Sequence, residues 1–308
     1  MRKGRLHMDV TASAQDMFDR GLAAVKGAVS GAAVELQPFM AGFVRLCSDG
    51  WLQGWHECNG GNLTDRMTAD DVKACRPFFS EKPGEWVGMD VKVPNVGGSF
   101  FATTAAGSFM RNVQLDVAGN VGIVEVNGAG DAWRTVWGFK DGGRPTSEFP
   151  SHLMTHGVRM EATGGASRVL YHAHPDNVIA LTKVVPLDAR SLTRALWKAA
   201  TECIMVLPMG VGVVPCMVPG GPELARATSE LMKTCDAVVW AQHGLFCSGP
   251  DFDATFGLMH SIDKAAHIHG LALAMNGGSA DFANTISDDD LRAIAESLGL
   301  KANEAFLD

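Results

Sequence analysis

The chain has 308 residues, of which 46% are hydrophobic and 19% charged, and its formal net charge is −8. A chain of this length and composition can bury a large core, which excludes intrinsic disorder. The acidic balance and the lack of a basic cluster exclude a typical nucleic-acid-binding protein. Seven cysteines, an odd number without a CxxC pair, favour a reducing cytoplasm over a disulfide framework. The uncharged runs 93–110 and 203–222 are interrupted by glycine or proline, so no membrane helix is predicted.

The first half of the chain is predicted to contain one long helix followed by several strands. Residues 1–35 are predicted to form an N-terminal extension, in which residues 1–8 could be left over from the expression vector. A helix begins at Pro38, where proline suits the first turn, and the Asn59-Gly60-Gly61 segment ends it. Short apolar or alternating segments predict strands. They cover about residues 62–64, 86–94, 113–127 and 132–139.

The second half is predicted to alternate helices with two buried strands. The strands cover about residues 168–172 and 238–240. The helices cover about 145–160, a segment after Pro175, 188–201, 222–234, 251–274 and 288–298, the last with Ser287 as its N-cap and Gly299 at its end. No internal repeat or linker divides this region. We therefore predict that residues 36–308 form a single α/β domain with helices packed on a sheet.

Two histidines at the end of an apolar strand are candidate metal ligands. In His172-Ala173-His174, residues i and i+2 of a strand point to the same face. Two imidazoles on one face can bind one divalent cation, and neutral imidazole suits zinc, whose catalytic sites typically have three protein ligands. An ordinary pair of polar histidines explains the same pattern equally well. His243 follows a second buried strand and precedes a glycine, so it completes a plausible three-histidine site.

Two other histidine pairs are weaker candidates. His267 and His269 lie in a predicted helix, where residues i and i+2 are about 200° apart and cannot chelate one ion. His152 and His156 have the i, i+4 spacing that can bind zinc on a helix. Because no HExxH motif accompanies them, packing of a helix face is the favoured interpretation.

Two carboxylates and three small-residue segments are further candidates. Glu148 follows Pro-Thr-Ser at a helix start, where an acid also complements the helix dipole. Glu202 precedes an apolar run, and a buried carboxylate beside a cation is a candidate acid or base. Backbone N–H groups of glycine-rich turns and helix N-termini bind anions, although the first segment could simply be a turn. These segments are Asn59-Gly60-Gly61-Asn62, the stretch around Gly107, and Thr146-Ser147.

Together these features resemble the class II zinc aldolases of the aldolase/adducin fold, and within them the branch that acts on L-rhamnulose 1-phosphate. The resemblance covers about residues 40–300 in the family's order. The matching stretches are WLQGWHECNGGNLT (51–64), FMRNVQLDVAGNVGIV (109–124), PTSEFPSHLMTH (145–156), RVLYHAHPDNVIALT (168–182), ATECIMVLPMGVGVVPCMVPG (200–220) and VVWAQHGLFCSGPDFDATFGL (238–258).

The resemblance implies a fold, an assembly and an activity. The fold would be a three-layer α/β/α domain with a largely antiparallel central sheet flanked by helices. The assembly would be a homotetramer with active sites between subunits. The activity would be that of a carbon–carbon lyase, in which a phosphorylated ketose, L-rhamnulose 1-phosphate, is reversibly cleaved to dihydroxyacetone phosphate and a small hydroxyaldehyde, L-lactaldehyde. One Zn²⁺ per subunit would be required.

The resemblance also implies a role for each candidate residue. His172, His174 and His243 would bind zinc. Glu148 would ligate zinc in the resting enzyme and then act as base, and Glu202 would be the second proton-transfer residue, reaching a neighbouring subunit's site. The remaining residues would line the phosphate site, and they are Asn59, Gly61, Asn62, Gly107, Thr146 and Ser147.

One departure from the family pattern concerns the phosphate site. The family often has a hydroxyl residue before the glycine matching Gly107, whereas this chain has Ala105-Ala106. A lost side-chain donor is worth about 0.5–1.5 kcal/mol, or up to about 3 kcal/mol to a charged phosphate. Ser108 or Thr104 could compensate.

Three alternative functions follow from the same residues. Other sugar-phosphate aldolases and 4-epimerases of this fold share the histidine cluster. An adducin-like module would keep the fold without catalysis, and a zinc hydrolase could use the same open site to activate water. The intact histidines and Glu148 favour the aldolase.

Overall fold

The computed structural model describes residues 34–308, and its centre is a nine-stranded sheet. The strand order across the sheet is β2-β5-β4-β3-β1-β6-β9-β8-β7. Every neighbouring pair is antiparallel except β7 and β8, which are parallel. The strands are β1 Asn62–Arg66, β2 Val87–Gly88, β3 Phe100–Thr104, β4 Val121–Val126, β5 Ala132–Gly138, β6 Val169–Ala173, β7 Gly212–Val214, β8 Ala237–Trp240 and β9 Gly244–Gly249.

Helices cover both faces of this sheet. They are α1 Pro38–Leu52, α2 Ala69–Cys75, α3 Val117–Asn120, α4 Phe149–Thr163, α5 Asp176–Leu181, α6 Ala189–Trp197, α7 Thr201–Val206, α8 Pro222–Leu231, α9 Phe252–Met275 and α10 Asp288–Ser297. None of the helices within residues 34–308 is long and apolar enough to cross a membrane.

Alternate residues of each strand point to opposite faces, and this separates the core into two sides. On one face, Leu63 of β1 and Tyr171 of β6 pack in a large apolar cluster with α1 and α9. On the other face, Leu170 of β6 and Phe246 of β9 pack against α8, while Phe101 of β3 packs with residues of α4. The expected three-layer α/β/α fold with a largely antiparallel sheet is therefore confirmed.

The long helix predicted from Pro38 begins as expected but ends earlier than Asn59. Helix α1 ends at Leu52, and Gly54 then adopts a φ of +82°, which a glycine accepts without strain. The Trp55 N–H donates to the Gly50 carbonyl at 3.1 Å, which closes the turn. Residues 53–61 consequently form a loop that leads into β1.

Several other predicted boundaries are wrong. The strand predicted over 113–127 starts only at Val121, because the Asp116 side chain caps the short helix α3 and accepts the Gly119 N–H at 3.2 Å. The strand predicted over 86–94 is reduced to Val87–Gly88. The helix predicted over 188–201 ends at Trp197, and a separate helix, α7, begins at Thr201. Strands β3 and β9 were not predicted, since strands buried on both faces lack the alternating pattern.

The C-terminal helix agrees closely with its prediction. The Ser287 Oγ accepts the Asp290 N–H at 3.1 Å, and the Asp290 carboxylate accepts the Ser287 N–H at 3.0 Å. This reciprocal arrangement is a capping box. Gly299 follows the helix with a φ of +65°. The predicted extension over residues 1–35 lies almost wholly outside the described residues.

Candidate active site

The candidate residues lie near one edge of the sheet, where strands begin and end. Strand β6 lies between β1 and β9, and its His172 stands opposite Asn62 of β1 and Phe246 of β9. The end of β6 thus lies beside the start of β1 and the turn between β8 and β9. Residues far apart in the chain therefore meet at this edge because the antiparallel register brings a strand end beside a strand start.

The three predicted histidine ligands lie together at this edge. One ring nitrogen from each of His172, His174 and His243 lies within 4.8 Å of the other two. The Nε2 atoms of His172 and His174 are 3.2 Å apart. His172 is buried, whereas His174 and His243 are partly exposed, so the cluster has an open side.

The hydrogen bonds of two of these rings leave their Nε2 atoms free for a cation. His172 Nδ1 lies 3.1 Å from the Leu245 carbonyl oxygen, and His174 Nδ1 lies 2.6 Å from Glu57 Oε1. Because both partners are acceptors, each Nδ1 carries the proton and each Nε2 presents a lone pair. Burial lowers the pKa of His172 and of His243, and the neighbouring imidazoles lower both further. A set of neutral imidazoles with converging lone pairs fits a divalent metal.

Two glycines leave room for the His174 ring. A Cβ atom on Gly60 would lie 2.9 Å from His174 Cε1, and one on Gly244 would lie 3.0 Å from His174 Cδ2. Both distances are shorter than normal contacts, so a larger residue at either position would displace the ring. The glycine after His243 therefore matters for packing as well as for the turn.

Glu57 is a functional candidate that sequence reasoning missed. Its carboxylate accepts the hydrogen bond from His174, 117 positions along the chain. Partners that orient a ligating histidine in this way strengthen metal binding. Glu57 is an exposed residue of an irregular loop, and no local pattern predicts which histidine such a side chain will reach.

Glu148 lies next to the histidine cluster, although it is outside the helix predicted to contain it. Helix α4 starts at Phe149, so Glu148 is its N-cap residue. The Asn62 amide donates to Glu148 Oε2 at 3.1 Å. Burial raises the pKa of Glu148, while the hydrogen bond from Asn62 and the nearby His174 oppose this effect. The carboxylate is thus placed where it can hold or release a proton beside the cluster.

Glu202 does not have the buried position that the sequence suggested. It lies on α7 with an exposed side chain, and its recorded hydrogen-bond partner among the described residues is the Thr201 hydroxyl at 3.0 Å. The prediction that this charge is buried beside a cation is therefore wrong for the single chain. The surrounding apolar run is itself partly exposed, at Met205, Val206 and Met209.

Two of the three predicted anion-binding segments lie side by side. The Thr146 N–H donates to the Thr104 carbonyl at 2.8 Å, and the Ala106 N–H donates to the Arg144 carbonyl at 2.9 Å. This pairing brings the Gly107 turn close to Thr146 and Ser147. Gly107 is exposed and has a φ of +74°.

The hydroxyl groups expected to compensate for Ala105-Ala106 already have partners. Ser108 Oγ donates to Asn120 Oδ1 at 2.7 Å, and Thr104 Oγ1 accepts the Leu63 N–H at 3.2 Å. Either hydroxyl would have to exchange a protein partner for a ligand.

The other histidine pairs lie away from this cluster. His152 and His156 are buried in α4, where their rings contact Phe246 and Phe101 respectively, as the packing interpretation predicts. His267 is an exposed residue of α9 that contacts Asn177. Within residues 34–308, one group of three or more histidine, cysteine or acidic side chains is close enough together to hold a metal ion. It consists of His172, His174 and His243.

The burial of His152 predicts an acid-sensitive stability. Burial lowers the pKa of His152 from its usual 6.5 to about 3, so the unfolded chain binds a proton below pH 6.5 that the folded chain does not. The stabilisation is therefore complete above pH 6.5 and is lost as the pH falls towards 3. Relative to His152→Asn, the wild-type free energy of unfolding should fall by about 1.4 kcal/mol per pH unit below 6.5.

Denaturant unfolding of both proteins in chelator, between pH 7.5 and 5, measures this difference. His156 and His172 interact electrostatically with His152, so the difference between the two proteins includes their response. The pKa of the buried His56 depends on other neighbours and cancels in the comparison. Parallel pH profiles for the two proteins would contradict the prediction.

Comparison with known proteins places the chain in a family. Residues 41–269 match the family model of the class II aldolase and adducin N-terminal domain. The rhamnulose-1-phosphate aldolase of Klebsiella pneumoniae is 40% identical over 270 residues, which is 88% of this chain and 96% of that protein. The enzyme of the same name from Pectobacterium atrosepticum is 41% identical over 269 residues, covering 87% and 96%. The chain belongs to the class II aldolase family.

A solved structure supports the same assignment. The sugar-phosphate aldolase from Thermotoga maritima superimposes with a TM-score of 0.64 at 26% identity, covering 76% of this chain and 94% of that one. The predicted enzyme class, an aldolase and hence a carbon–carbon lyase, is confirmed by these relatives. Membership of the class II family also implies a divalent metal and a phosphorylated sugar substrate.

Proposed function

We propose that this class II aldolase reversibly cleaves L-rhamnulose 1-phosphate to dihydroxyacetone phosphate and L-lactaldehyde, with zinc as its metal. The observation that carries the proposal is the open three-histidine cluster with Glu148 beside it. The relatives named for this reaction, at 40% and 41% identity, support the choice of substrate.

We assign zinc binding to His172, His174 and His243. When bound, zinc supplies Lewis-acid stabilisation of the negative charge that develops on the dihydroxyacetone fragment as the carbon–carbon bond breaks. Glu57 holds the proton of His174 on Nδ1 and so keeps its Nε2 available. From the family resemblance, we also propose that Glu148 ligates the metal in the resting enzyme.

Glu148 is proposed to move the proton on the donor carbon. Its pKa is raised by burial, which makes the carboxylate a stronger base than an exposed one. The amide of Asn62 fixes one carboxylate oxygen and leaves the other free to take or return the proton. Proton transfer by a positioned side chain contributes about 10²–10⁴ to the rate.

The second proton-transfer residue is proposed to come from another subunit. Glu202 is exposed and is held only by its neighbour Thr201 in the hydrogen bonds recorded for residues 34–308. Apolar side chains beside it are also exposed, which suits an interface between copies of the chain. We infer that Glu202 serves the aldehyde-side hydroxyl of a neighbouring site in a homotetramer. A cytoplasmic location stays a prediction.

The phosphate group is proposed to bind among the three small-residue segments. Backbone N–H groups near Gly61 and Gly107 and the start of α4 would face the anion. Thr146 and Ser147 would add hydroxyl donors, and Asn59 and Asn62 would add amides. Because this chain has Ala105-Ala106 where the family often has a hydroxyl residue, the proposed phosphate site has one side-chain donor fewer.

The release of dihydroxyacetone phosphate from L-rhamnulose 1-phosphate tests the proposal. We expect the initial rate to fall to background after chelation and to return when zinc is restored. Release that persists without metal would contradict the role of the histidine cluster. No release from the zinc-loaded protein would reject this substrate, and epimerase substrates and unphosphorylated ketoses would then distinguish the alternatives.

A further inference from the structure

A polar seam joins helix α4 to strand β1 directly behind the candidate site. Asn62 and Thr64 are two residues apart on β1 and therefore share one face of the sheet. Glu148, His152 and His156 recur every four residues at the start of α4 and so share one side of the helix. Asn62 binds Glu148 at 3.1 Å, and Thr64 Oγ1 lies 2.8 Å from both His152 Nδ1 and His156 Nε2.

A single hydroxyl group forms hydrogen bonds with both imidazoles. Thr64, His152 and His156 are buried, with exposed fractions of 0%. The hydroxyl has one proton, so it donates to one ring and accepts the N–H of the other, which fixes complementary tautomers. The remaining ring nitrogens, His152 Nε2 and His156 Nδ1, have no hydrogen-bond partner among the described residues. Thr64 is therefore the side-chain partner on which both rings depend.

This arrangement connects the first turns of α4 to β1. The backbone N–H of His152 donates to the Glu148 carbonyl at 2.9 Å, so the first turn of α4 connects the two histidines to Glu148. Without the Thr64 hydroxyl, two buried rings would lose their polar contact with β1, and the first turns of α4 could shift relative to that strand. The distance from the Glu148 carboxylate to the histidine cluster depends on that position.

We propose that Thr64, acting through His152 and His156, is a positioning residue that holds Glu148 at the catalytic edge of the sheet. The inference rests on the proposed function, in which Glu148 transfers the proton. It assigns no chemical step to Thr64, which contacts neither the histidine cluster nor the open side of the site in the hydrogen bonds recorded.

The chain offers a matched control on the neighbouring strand. Thr103 of β3 stands directly opposite Thr64 and is equally buried, but its hydroxyl donates to the adjacent Thr104 carbonyl at 3.2 Å. Replacing either threonine by valine removes one buried hydroxyl at the same depth. Only Thr64→Val removes the link to α4.

Steady-state kinetics and hydrogen exchange together test the proposal on the zinc-loaded protein. We expect Thr64→Val to lower kcat about tenfold with little change in KM, as a displaced catalytic group does, and Thr64→Ser to restore it. Amide exchange over residues 148–156 should accelerate in Thr64→Val. Thr103→Val should leave both measurements near wild type. Equal effects of the two valine variants, or an unchanged kcat and exchange rate, would overturn the proposal.

A double-mutant cycle separates positioning from a general loss of stability. If Thr64 acts through Glu148, Thr64→Val should have little further effect on the residual rate of Glu148→Gln. A tenfold loss in both backgrounds would overturn the proposal. Should wild type lack aldolase activity, the proposed function fails, and the exchange comparison alone still decides whether Thr64 fixes the start of α4.

A second pair of variants applies if Thr64→Val does not fold. The amide of asparagine can replace His152 Nδ1, whereas leucine cannot. In His152→Asn, kcat and the slow amide exchange over residues 148–156 should therefore be kept. In His152→Leu, kcat should fall and the exchange should accelerate. Equal kcat values and exchange rates in these two variants would overturn the proposal.

Discussion

Replacing His174 with alanine is expected to remove the bound metal and the activity together. His174 supplies one of three converging nitrogens, and two imidazoles alone bind a divalent cation weakly. Removing an outer partner such as Glu57 typically lowers metal affinity by up to about 100-fold. Removing the ligand His174 itself should lower the affinity by more than that. Metal content of the purified variant and its rate of dihydroxyacetone phosphate release measure the effect.

His267→Ala is the matched control, because His267 belongs to the other HxH pair of the chain and lies on the exposed side of α9. It should retain both metal and rate. Full metal occupancy in His174→Ala would remove this residue from the ligand set and would direct attention to the remaining side chains of the edge.

Replacing Glu148 with glutamine is expected to abolish most of the turnover while the protein stays folded and metal-loaded. Glutamine has the same shape, and its oxygen can still accept the hydrogen bond from Asn62. It cannot take up a proton, so kcat should fall by about 10²–10⁴. Steady-state kinetics, metal analysis and thermal unfolding of the same preparation separate these effects.

Glu161→Gln makes the same chemical change on the same helix. Glu161 is an exposed residue near the end of α4 whose carboxylate accepts the Asn95 amide at 3.0 Å. Its replacement should leave the rate unchanged. A near-normal rate in Glu148→Gln would refute the role of this carboxylate as the base and would favour Glu202 or solvent.

The site depends on contacts between distant parts of the chain. His172 and His174 are close in sequence, but His243 joins them only because β8 and β9 pair next to β6. Glu148 is added by the N-terminus of α4, which packs on the opposite side of the sheet from α1 and α9. The site therefore combines histidines at strand ends with a carboxylate from the helical layer that contains α4.

Features that depend on near neighbours in the chain could be predicted from the sequence. His172 near the end of β6 and His174 just after it come together as their two-residue spacing predicts. Proline starts α1 at Pro38, and Ser287 caps α10. These results follow from backbone geometry and local hydrogen bonds. The family motifs extended the prediction to the fold and the enzyme class.

The side chains that complete the site could not be predicted from local sequence patterns. Glu57 reaches His174 from a loop, Glu202 lies exposed, and Thr64 links two buried histidines 88 and 92 positions away. Strand β9, which holds His172 through the Leu245 carbonyl, has no alternating pattern to reveal it. Such contacts are set by strand register and helix packing across the whole sheet, and these depend on the fit of many apolar side chains rather than on any local spacing.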